Sequence, residues 1–254
     1  VGATENLIIA SSFATGKTIL KNCAIEPEIK DLVNFLRKMG CNIKWTGKRT
    51  ITILGVKSLK ETSYKIMFDR IEAGTYMIAS VLMNGNLKIK NINPKVIKTE
   101  IDILKKIGAD IKIKDNVLRI VGKNKINNIK LTTAPYPGFP TDLQAQLMVL
   151  LCRGKGRSII TEKIFENRFM HASELNRMGA KINILGNKAI IEGNINFNSA
   201  ELMATDLRAS VSLILAALTA KGKSTINRIY HLDRGYENIE EKLKKVGAKI
   251  KRIS

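Results

Sequence analysis

The order of apolar and polar positions repeats along the chain. Each repeat reads as an apolar helix, a short strand, a charged loop, an amphipathic helix and a further strand. The amphipathic helices close on glycines that stand 68, 71 and 68 residues apart, namely Gly40, Gly108, Gly179 and Gly247. The apolar helices end at glycines spaced by 69, 71 and 66 residues, namely Gly16, Gly85, Gly156 and Gly222. Because two independent sets of landmarks keep one period, the chain is predicted to contain four copies of one structural unit.

Each of these glycines stands where a helix must stop. A residue without a Cβ can take the left-handed conformation that closes the last helical turn, so we expect that conformation at every one of these positions. The repeating unit is then a βαβαββ module of about 70 residues, too long for a solenoid repeat and too short for a typical domain. Modules of this size should pack in groups. If they pack around a common axis, their helix starts gather at one end of the body.

Composition limits the class of protein. With 254 residues and 44% hydrophobic positions, the chain can form one large or two smaller globular bodies. No apolar run approaches the ~18 residues that a membrane helix needs. Cys23, Cys41 and Cys152 lack the spacing of a zinc site or a disulfide framework, so we expect buried thiols in a reducing cytoplasm. The chain begins on Val1, inside a helix-entry segment and without a basic-then-apolar leader, so we expect a further segment upstream.

The net charge of +21 is compatible with nucleic-acid binding. A nucleic-acid footprint is a patch or stripe, however, and these lysines are scattered singly over strands and helix surfaces. A composition rich in Lys, Ile and Asn is also what an A+T-rich coding sequence produces. The pattern therefore favours the absence of a nucleic-acid partner, and it is compatible with a cleft that holds small anions.

Three predicted helix starts carry charged groups, in FDRIEAG, FPTDLQAQ and MATDLRAS. An Asp before an apolar helix commonly caps it, and we assign this role to Asp69. At Asp142 and Asp206, the preceding Thr141 and Thr205 could supply the cap instead and leave both carboxylates free. Helix N-termini also attract phosphate and carboxylate groups, which makes a polar cleft at these starts plausible.

Two arginines occupy equivalent loop positions in successive repeats. Arg168 lies in IFENRFMH and Arg234 in RIYHLDRGYE, whereas the second repeat has a plain NPKV there. A guanidinium can hold phosphate or carboxylate through two parallel hydrogen bonds. The alternative is a local salt bridge, of Arg168 with Glu166 or of Arg234 with Asp233. The repeat-equivalent placement favours anion binding.

Other kinds of site lack support in the sequence. His171 and His231 are the two histidines, and no second ligand stands at metal spacing, so we interpret both as structural or as residues that support the side chains of a neighbouring site. The ATGKT segment at residues 14–18 lacks the first glycine of a phosphate-binding loop. Nucleotide hydrolysis and a dinucleotide cofactor are therefore not indicated.

The motifs FPTDLQAQ, FENRFMH, ATDLRAS and YHLDRGYE, in this order and separation, closely resemble the UDP-N-acetylglucosamine enolpyruvyl transferases, also called 1-carboxyvinyltransferases. The resemblance runs from VGAT at the N-terminus to GAKIKRIS at the C-terminus. A sister family acting on shikimate 3-phosphate shares the fold, but ENRFMH and HLDRGYE favour the nucleotide-sugar enzymes. The alternative outside the enzymes is a non-catalytic binding module, whose basic surface would bind RNA or an acidic protein.

The resemblance implies an α/β (α+β) fold, an inside-out α/β prism of six βαβαββ modules arranged in two lobes. Four modules would be present here. Residues 1–67 would be the last module of the first lobe, and residues 68–254 would form the second lobe. The family's opening segment, which completes the second lobe, would precede Val1.

The implied reaction moves the enolpyruvyl group of phosphoenolpyruvate to the 3-hydroxyl of UDP-N-acetylglucosamine and releases phosphate. It is the first committed step of peptidoglycan precursor synthesis, a cytoplasmic reaction that needs no metal or organic cofactor. The partners would be these two small molecules, with neither nucleic acid nor membrane. Because the family's Lys-Asn pair and its mobile loop would precede Val1, we expect the 254 residues alone to be inactive.

The resemblance also implies roles for individual residues. Asp142 would be the general base, Arg234 would bind phosphoenolpyruvate, and Arg168 would add positive charge near the phosphate. The implied catalytic residues are Asp142, Arg234 and Asp206. The implied substrate-binding residues are Val1, Asp142, Ile164, Phe165, Arg168, Leu207, Arg208 and Arg234, and no metal ligand is implied.

Overall fold

The structure is a computed structural model and describes residues 1–253. The chain forms two compact units, Val1–Phe68 and Asp69–Ser254. Among residues 1–253, no helix is both long and apolar enough to cross a membrane. Cys23, Cys41 and Cys152 are buried free thiols, as the sequence predicts.

The first unit contains two helices and three strands. They are α1 (Gly2–Ser11), β1 (Lys17–Lys21), α2 (Pro27–Lys38), β2 (Asn42–Gly47) and β3 (Thr50–Leu54). The strands form an antiparallel sheet in the order β1-β3-β2. Residues of α2 at helical spacing, among them Ile29, Val33 and Leu36, meet the inward side chains of β2 and β3 in one buried cluster.

The second repeat opens the second unit. Its elements are α3 (Arg70–Leu82), β4 (Asn86–Ile89), α4 (Lys98–Ile107), β5 (Asp110–Lys114) and β6 (Val117–Val121). The three strands form an antiparallel sheet in the order β4-β6-β5. Asp69 caps α3, because its side chain accepts hydrogen bonds from the amides of Ile71 and Glu72. The cap predicted at Asp69 is therefore confirmed.

The third repeat has the complete βαβαββ order. Its elements are β7 (Lys130–Thr132), the 3₁₀ turn η1 (Thr141–Leu143), α5 (Gln144–Cys152), β8 (Arg157–Thr161), α6 (His171–Arg177), β9 (Lys181–Leu185) and β10 (Lys188–Glu192). The strand order is β7-β8-β10-β9, with β7 parallel to β8 and the other pairs antiparallel.

The fourth repeat is shorter than predicted. It consists of β11 (Glu201–Met203), α7 (Leu207–Thr219), β12 (Thr225–Asn227), the 3₁₀ helix η2 (Ile229–Arg234) and α8 (Ile239–Lys245). Strands β11 and β12 pair in parallel. Up to residue 253, no strand follows α8, so the strand predicted after Gly247 is wrong.

The apolar helices lie inside the second unit. Helices α3, α5 and α7 pack on one another, and the sheets and the amphipathic helices lie around them. Every residue of α5 is buried, and most residues of α3 and α7 are buried as well. A helix that is apolar on all sides must be covered on all sides, which explains this arrangement. The predicted inside-out α/β architecture is confirmed for this unit.

The conformation of the glycines differs from the prediction at one helix end. The φ angles of the four glycines that close the amphipathic helices are positive, as are those of Gly16, Gly156 and Gly222. Gly85 is the exception, because Asn84 takes the left-handed conformation after α3, with a φ of 51°. Asn tolerates this conformation because its short polar side chain can bond locally. The apolar helices α1, α5 and α7 also end several residues before their glycines.

Candidate active site

The carboxylate of Asp142 lies between two arginines from other parts of the second unit. Its Oδ1 accepts a hydrogen bond from Nε of Arg208 at 2.5 Å and another from Nη2 of Arg168 at 3.1 Å. The side chains of Asp142 and Arg208 are each 31% exposed, and that of Arg168 is 16% exposed. These three side chains are therefore accessible to a ligand, while much of their surface is shielded from water.

Asp142 is free to make these contacts because it does not cap its own helix. It lies in η1, and neither η1 nor α5 has a side-chain cap. Thr141, predicted to cap this helix, instead donates its hydroxyl to Oε2 of Glu162 at 2.8 Å. The predicted free carboxylate at Asp142 is confirmed, but the predicted cap by Thr141 is wrong.

Opposing effects act on the protonation of Asp142. Burial by itself would raise the pKa of this carboxyl, but the Arg208 hydrogen bond and the charges of Arg208, Arg168 and Arg70 outweigh burial and lower the pKa below its ordinary value. Asp142 is therefore ionised at neutral pH. An ionised carboxylate can accept a proton from a substrate hydroxyl that comes within hydrogen-bonding distance.

The starts of the three inner helices gather at one end of the second unit. Asp142 precedes α5, Arg208 lies in the first turn of α7, and Arg70 is the first residue of α3. Arg70 is close enough to lower the pKa of Asp142, and it pairs with Glu100 of α4 at 3.7 Å. The predicted gathering of helix starts is confirmed. Three arginines surround Asp142, which makes this end attractive to anions.

Arg168 is held by more than its ion pair. Its guanidinium lies over the ring of Phe165, 4.4 Å from the centroid. The alternative considered from the sequence, a salt bridge with Glu166, does not form, because the carboxylate partner of Arg168 is Asp142. Phe165 and Ile164, both predicted to bind substrate, are exposed in the same loop.

The carboxylate of Asp206 is bonded to backbone amides of its own helix. Its side chain accepts hydrogen bonds from the amides of Arg208 at 2.7 Å and Ala209 at 3.0 Å, so it caps α7. The predicted cap by Thr205 and the predicted free carboxylate are both wrong. The charge of Asp206 still acts on its neighbours: burial lowers the pKa values of Arg168 and His171, and the charge of Asp206 partly opposes that lowering. Asp206 thus positions the first turn of α7, which carries Arg208.

His171 is buried at the start of α6, as expected for a structural histidine. Its pKa is lowered to about 4, chiefly by burial, while the charge of Asp206 acts to raise it and the charge of Arg168 acts to lower it. The imidazole is therefore neutral at neutral pH.

Arg234 ends η2 at an exposed position, and the structure does not bring it into contact with Asp142. Its predicted alternative partner, Asp233, is occupied by another arginine. Nη1 and Nη2 of Arg252 donate to the two carboxylate oxygens of Asp233 at 3.0 and 2.6 Å, and Nε of Arg252 lies 2.9 Å from Glu240. Among residues 1–253, Arg234 forms no ion pair, so its guanidinium is available to a ligand.

Leu207 and Gly235 connect the Arg234 turn to α7. A Cβ built on Gly235 would come within 2.8 Å of Cδ2 of Leu207, so the absence of a side chain at Gly235 lets the turn lie this close. Leu207 packs against the buried cluster that includes Leu232 and Tyr236. Val1, the remaining predicted contact residue, is 52% exposed at the start of α1 in the first unit.

A buried polar network lies behind the site. Nε2 of Gln146 donates to the backbone oxygen of Asp142, to Oγ1 of Thr75 and to the hydroxyl of Tyr236 at 3.0, 3.1 and 3.3 Å. Burial raises the pKa of Tyr236 to about 12, so the phenol stays protonated. The network links α3 and α5 to the segment that follows Arg234.

Sequence reasoning missed four residues that shape this site. They are Arg70, Glu162, Gln146 and Arg252. Arg70 stands beside Asp69 in FDRIEAG and could have been found as a charge at a helix start. The other three carry no recognisable local signal, because each has a side-chain partner 19 to 90 residues away, namely Thr133 and Thr141 for Glu162, Tyr236 for Gln146 and Asp233 for Arg252.

A family model described as EPSP synthase (3-phosphoshikimate 1-carboxyvinyltransferase) matches residues 1–243. The chain belongs to this family. Among its relatives, the UDP-N-acetylglucosamine 1-carboxyvinyltransferase of Pelagibacter ubique (strain HTCC1062) is 73% identical over all 254 residues. The protein of the same name from Desulfosudis oleivorans is 51% identical over 254 residues. The resemblance inferred from the four motifs is confirmed.

Solved structures of 1-carboxyvinyl and enolpyruvyl transferases agree with the fold. The enolpyruvyl transferase NikO from Streptomyces tendae superposes with a TM-score of 0.89 at 29% identity and covers 98% of the chain. EPSP synthase from Acinetobacter baumannii has a TM-score of 0.77 at 19% identity, which supports the fold alone. The chain spans 61% of the length of both curated relatives and 60% of the NikO chain.

Proposed function

We propose that this chain serves the transfer of the enolpyruvyl group from phosphoenolpyruvate to the 3-hydroxyl of UDP-N-acetylglucosamine, with release of phosphate. The observation that carries the proposal is the Asp142 carboxylate held between Arg168 and Arg208. This arrangement occurs in a chain that is 73% identical, over its whole length, to a relative named UDP-N-acetylglucosamine 1-carboxyvinyltransferase. The four-of-six module count and the division into lobes near residue 68 belong to the same proposal.

The geometry supports a base that sits beside an anion site. Asp142 would take the proton of the sugar hydroxyl while the hydroxyl oxygen forms a bond to C2 of phosphoenolpyruvate and C3 gains a proton from a general acid, which the family's mobile loop upstream of Val1 would supply. C3 would then lose a proton again, which restores the C2–C3 double bond as the bond between C2 and the phosphate oxygen breaks and phosphate leaves. Arg168 and Arg208 would stabilise the negative charge of the reacting centre, because guanidinium groups fixed in a partly dry site act strongly on developing charge.

Substrate binding would also change the strength of the base. A carboxylate or phosphate bound by Arg168 and Arg208 would compete with Asp142 for the same donors. Losing these partners would raise the pKa of Asp142 towards its ordinary value. A base with a higher pKa accepts a proton more readily, so the arrangement would activate Asp142 when the anionic substrate is in place.

The remaining predicted residues would bind the two substrates or position the side chains that do. Arg234 would bind phosphoenolpyruvate, for which its exposed guanidinium, without an ion pair among residues 1–253, is suited. Ile164, Phe165 and Leu207 would contact the nucleotide sugar, and Val1 would contribute a uridine-side contact. Asp206 would act by fixing the turn of α7 that carries Arg208. The three free thiols agree with a reducing cytoplasm, where the step would feed peptidoglycan synthesis and thereby cell shape and division.

The test is phosphate release from phosphoenolpyruvate and UDP-N-acetylglucosamine. The polypeptide encoded by the complete reading frame that contains these residues is compared with its Asp142→Asn variant and with the 254-residue chain. We expect activity in the first, a loss of about 10²- to 10⁴-fold in the variant, and none in the 254 residues alone. A folded complete protein without activity would contradict the proposal.

Two ligands distinguish the related alternatives. UDP-N-acetylglucosamine should raise the melting temperature, because a ligand that binds only the native state stabilises it, whereas shikimate 3-phosphate should not. A response to shikimate 3-phosphate alone would favour the sister reaction. Salt-steep binding to nucleic acid without either response would favour a non-catalytic binding module.

A further inference from the structure

Glu162 is a buried carboxylate directly after β8, with 3% of the residue exposed. Its Oε1 accepts hydrogen bonds from Oγ1 of Thr133 at 2.8 Å and from the amides of Ile164 and Phe165 at 2.7 and 3.2 Å. Its Oε2 accepts a hydrogen bond from Oγ1 of Thr141 at 2.8 Å. Within the described part of the chain, residues 1–253, the hydrogen-bond partners of this carboxylate are hydroxyls and amides, not a cation.

Such a carboxylate is costly to bury unless donors surround it. Each hydrogen bond to an ionised oxygen is stronger than one between neutral groups, so these donors are held firmly in place. Thr133 also accepts a hydrogen bond from the amide of Lys163 at 2.9 Å. The end of β7, the start of η1 and the loop after β8 are thus joined at a single side chain.

Functional residues flank the segments that meet at Glu162. Thr141 directly precedes Asp142, whose carboxylate is the proposed base. Ile164 and Phe165 begin the loop that ends in Arg168, and the guanidinium of Arg168 packs over the ring of Phe165. The 3.1 Å hydrogen bond between Arg168 and Asp142 connects the end of this loop back to η1.

We propose that Glu162 is a positioning residue that sets the distance between the Asp142 side of the site and the Ile164–Arg168 loop. This inference rests on the proposed function for its kinetic consequence, while its structural content can be measured independently. Without the carboxylate, the amides of Ile164 and Phe165 lose their acceptor, and the loop loses its link to η1. The sugar-nucleotide side of the site would then move relative to the base.

Two substitutions separate geometry from charge. Glu162→Ala removes every acceptor at this position. Glu162→Gln keeps the shape, because its carbonyl can accept from the amides of Ile164 and Phe165 while its NH₂ donates to a rotated Thr141 hydroxyl. We expect Glu162→Ala to raise KM for UDP-N-acetylglucosamine about tenfold, and Glu162→Gln to stay within about threefold of wild type.

The experiment uses the complete reading-frame protein and combines steady-state kinetics with amide hydrogen exchange. In Glu162→Ala, exchange at Ile164 and Phe165 should accelerate about tenfold or more, while the inner helix α5 keeps its protection. In Glu162→Gln, both amides should stay protected. The matched control is Glu192→Ala, which removes an exposed carboxylate paired with Arg157 and should leave KM and the loop amides unchanged.

Three outcomes would overturn the proposal. One is unchanged exchange and unchanged KM in Glu162→Ala. Another is uniform acceleration of exchange over the whole second unit, which would assign Glu162 to general stability. The third is a glutamine variant as defective as the alanine variant in both exchange and KM. If the wild-type protein releases no phosphate, the proposed function fails on its own, and the exchange data still decide whether Glu162 holds the loop.

Discussion

Nε of Arg208 lies 2.5 Å from Oδ1 of Asp142, so the starts of α5 and α7, in successive repeats, are joined by one ion pair. All residues of α5 and most residues of α7 are buried, and the two helices pack on each other, which fixes the distance between their first turns. The ion pair is consequently a property of helix packing. It places an ionised carboxylate beside donors that an anionic substrate can also use.

Replacing Arg208 with glutamine should move the acid limb of activity to higher pH. Burial raises the pKa of Asp142, and Arg208 is the strongest influence that lowers it, so removing the guanidinium leaves burial less opposed. The base is then protonated at a higher pH. The dependence of kcat/KM on pH reports this change in the free enzyme. Arg157→Gln, which removes a surface arginine paired with Glu192, is the control and should leave the profile unchanged.

His171 should make the fold acid-sensitive. Its pKa is lowered to about 4 in the folded protein, chiefly by burial, against ~6.5 in an unfolded chain. The unfolded state therefore binds the proton first. Stability should be complete above about pH 6.5 and fall by up to ~1.4 kcal/mol per pH unit down to about pH 4.

Urea unfolding at successive pH values measures this effect. His171→Gln should flatten the decline between pH 6.5 and 4, whereas His231→Gln, which removes the other histidine, should leave it unchanged. A decline of equal slope in His171→Gln would show that another group is responsible.

Arg252→Ala should weaken the binding of phosphoenolpyruvate through Arg234. Arg252 occupies both carboxylate oxygens of Asp233, the residue next to Arg234. Once released, Asp233 can pair with Arg234 and compete with the substrate. Because these side chains are partly exposed, we expect a rise in KM for phosphoenolpyruvate of only about threefold.

A second substitution tests this explanation. In Asp233→Asn combined with Arg252→Ala, no released carboxylate remains to compete, so KM should return towards the wild-type value. A double variant as weak as Arg252→Ala would show that Arg252 acts by some other route, such as holding the C-terminal segment.

Gly235→Ala should displace Leu207. The new methyl group would lie 2.8 Å from the end of the Leu207 side chain, closer than carbon atoms approach without a shift. Because a leucine side chain can rotate, the stability cost should be about 1 kcal/mol, while the altered Leu207 should raise KM for the sugar nucleotide. Thermal unfolding and steady-state kinetics measure the two effects. Gly2→Ala, where a Cβ meets open space, is the control, and an equal KM change there would contradict this account.

The periodicity of apolar positions is sufficient to predict the four repeats and the buried inner helices. These features depend on residues that are near one another in sequence, through helix periodicity and the special freedom of glycine. The predicted left-handed conformation is wrong at Gly85, because the neighbouring Asn84 takes that conformation instead. It is also wrong for the strand after α8, because a strand exists only where a partner supplies hydrogen bonds.

The candidate site is likewise predicted only in part from the sequence. The residue pattern marks Asp142 and Arg168 as charged groups at element junctions, and the family resemblance adds Arg208, but the sequence presents Asp142 and Asp206 identically, each in a Thr-Asp-Leu segment before an apolar helix. Only the tertiary structure distinguishes them. Asp206 caps its own helix, whereas Asp142 meets arginines 26 and 66 residues away. The physical reason is that a cap is a contact within one turn, while an ion pair between repeats depends on how the helices and sheets pack.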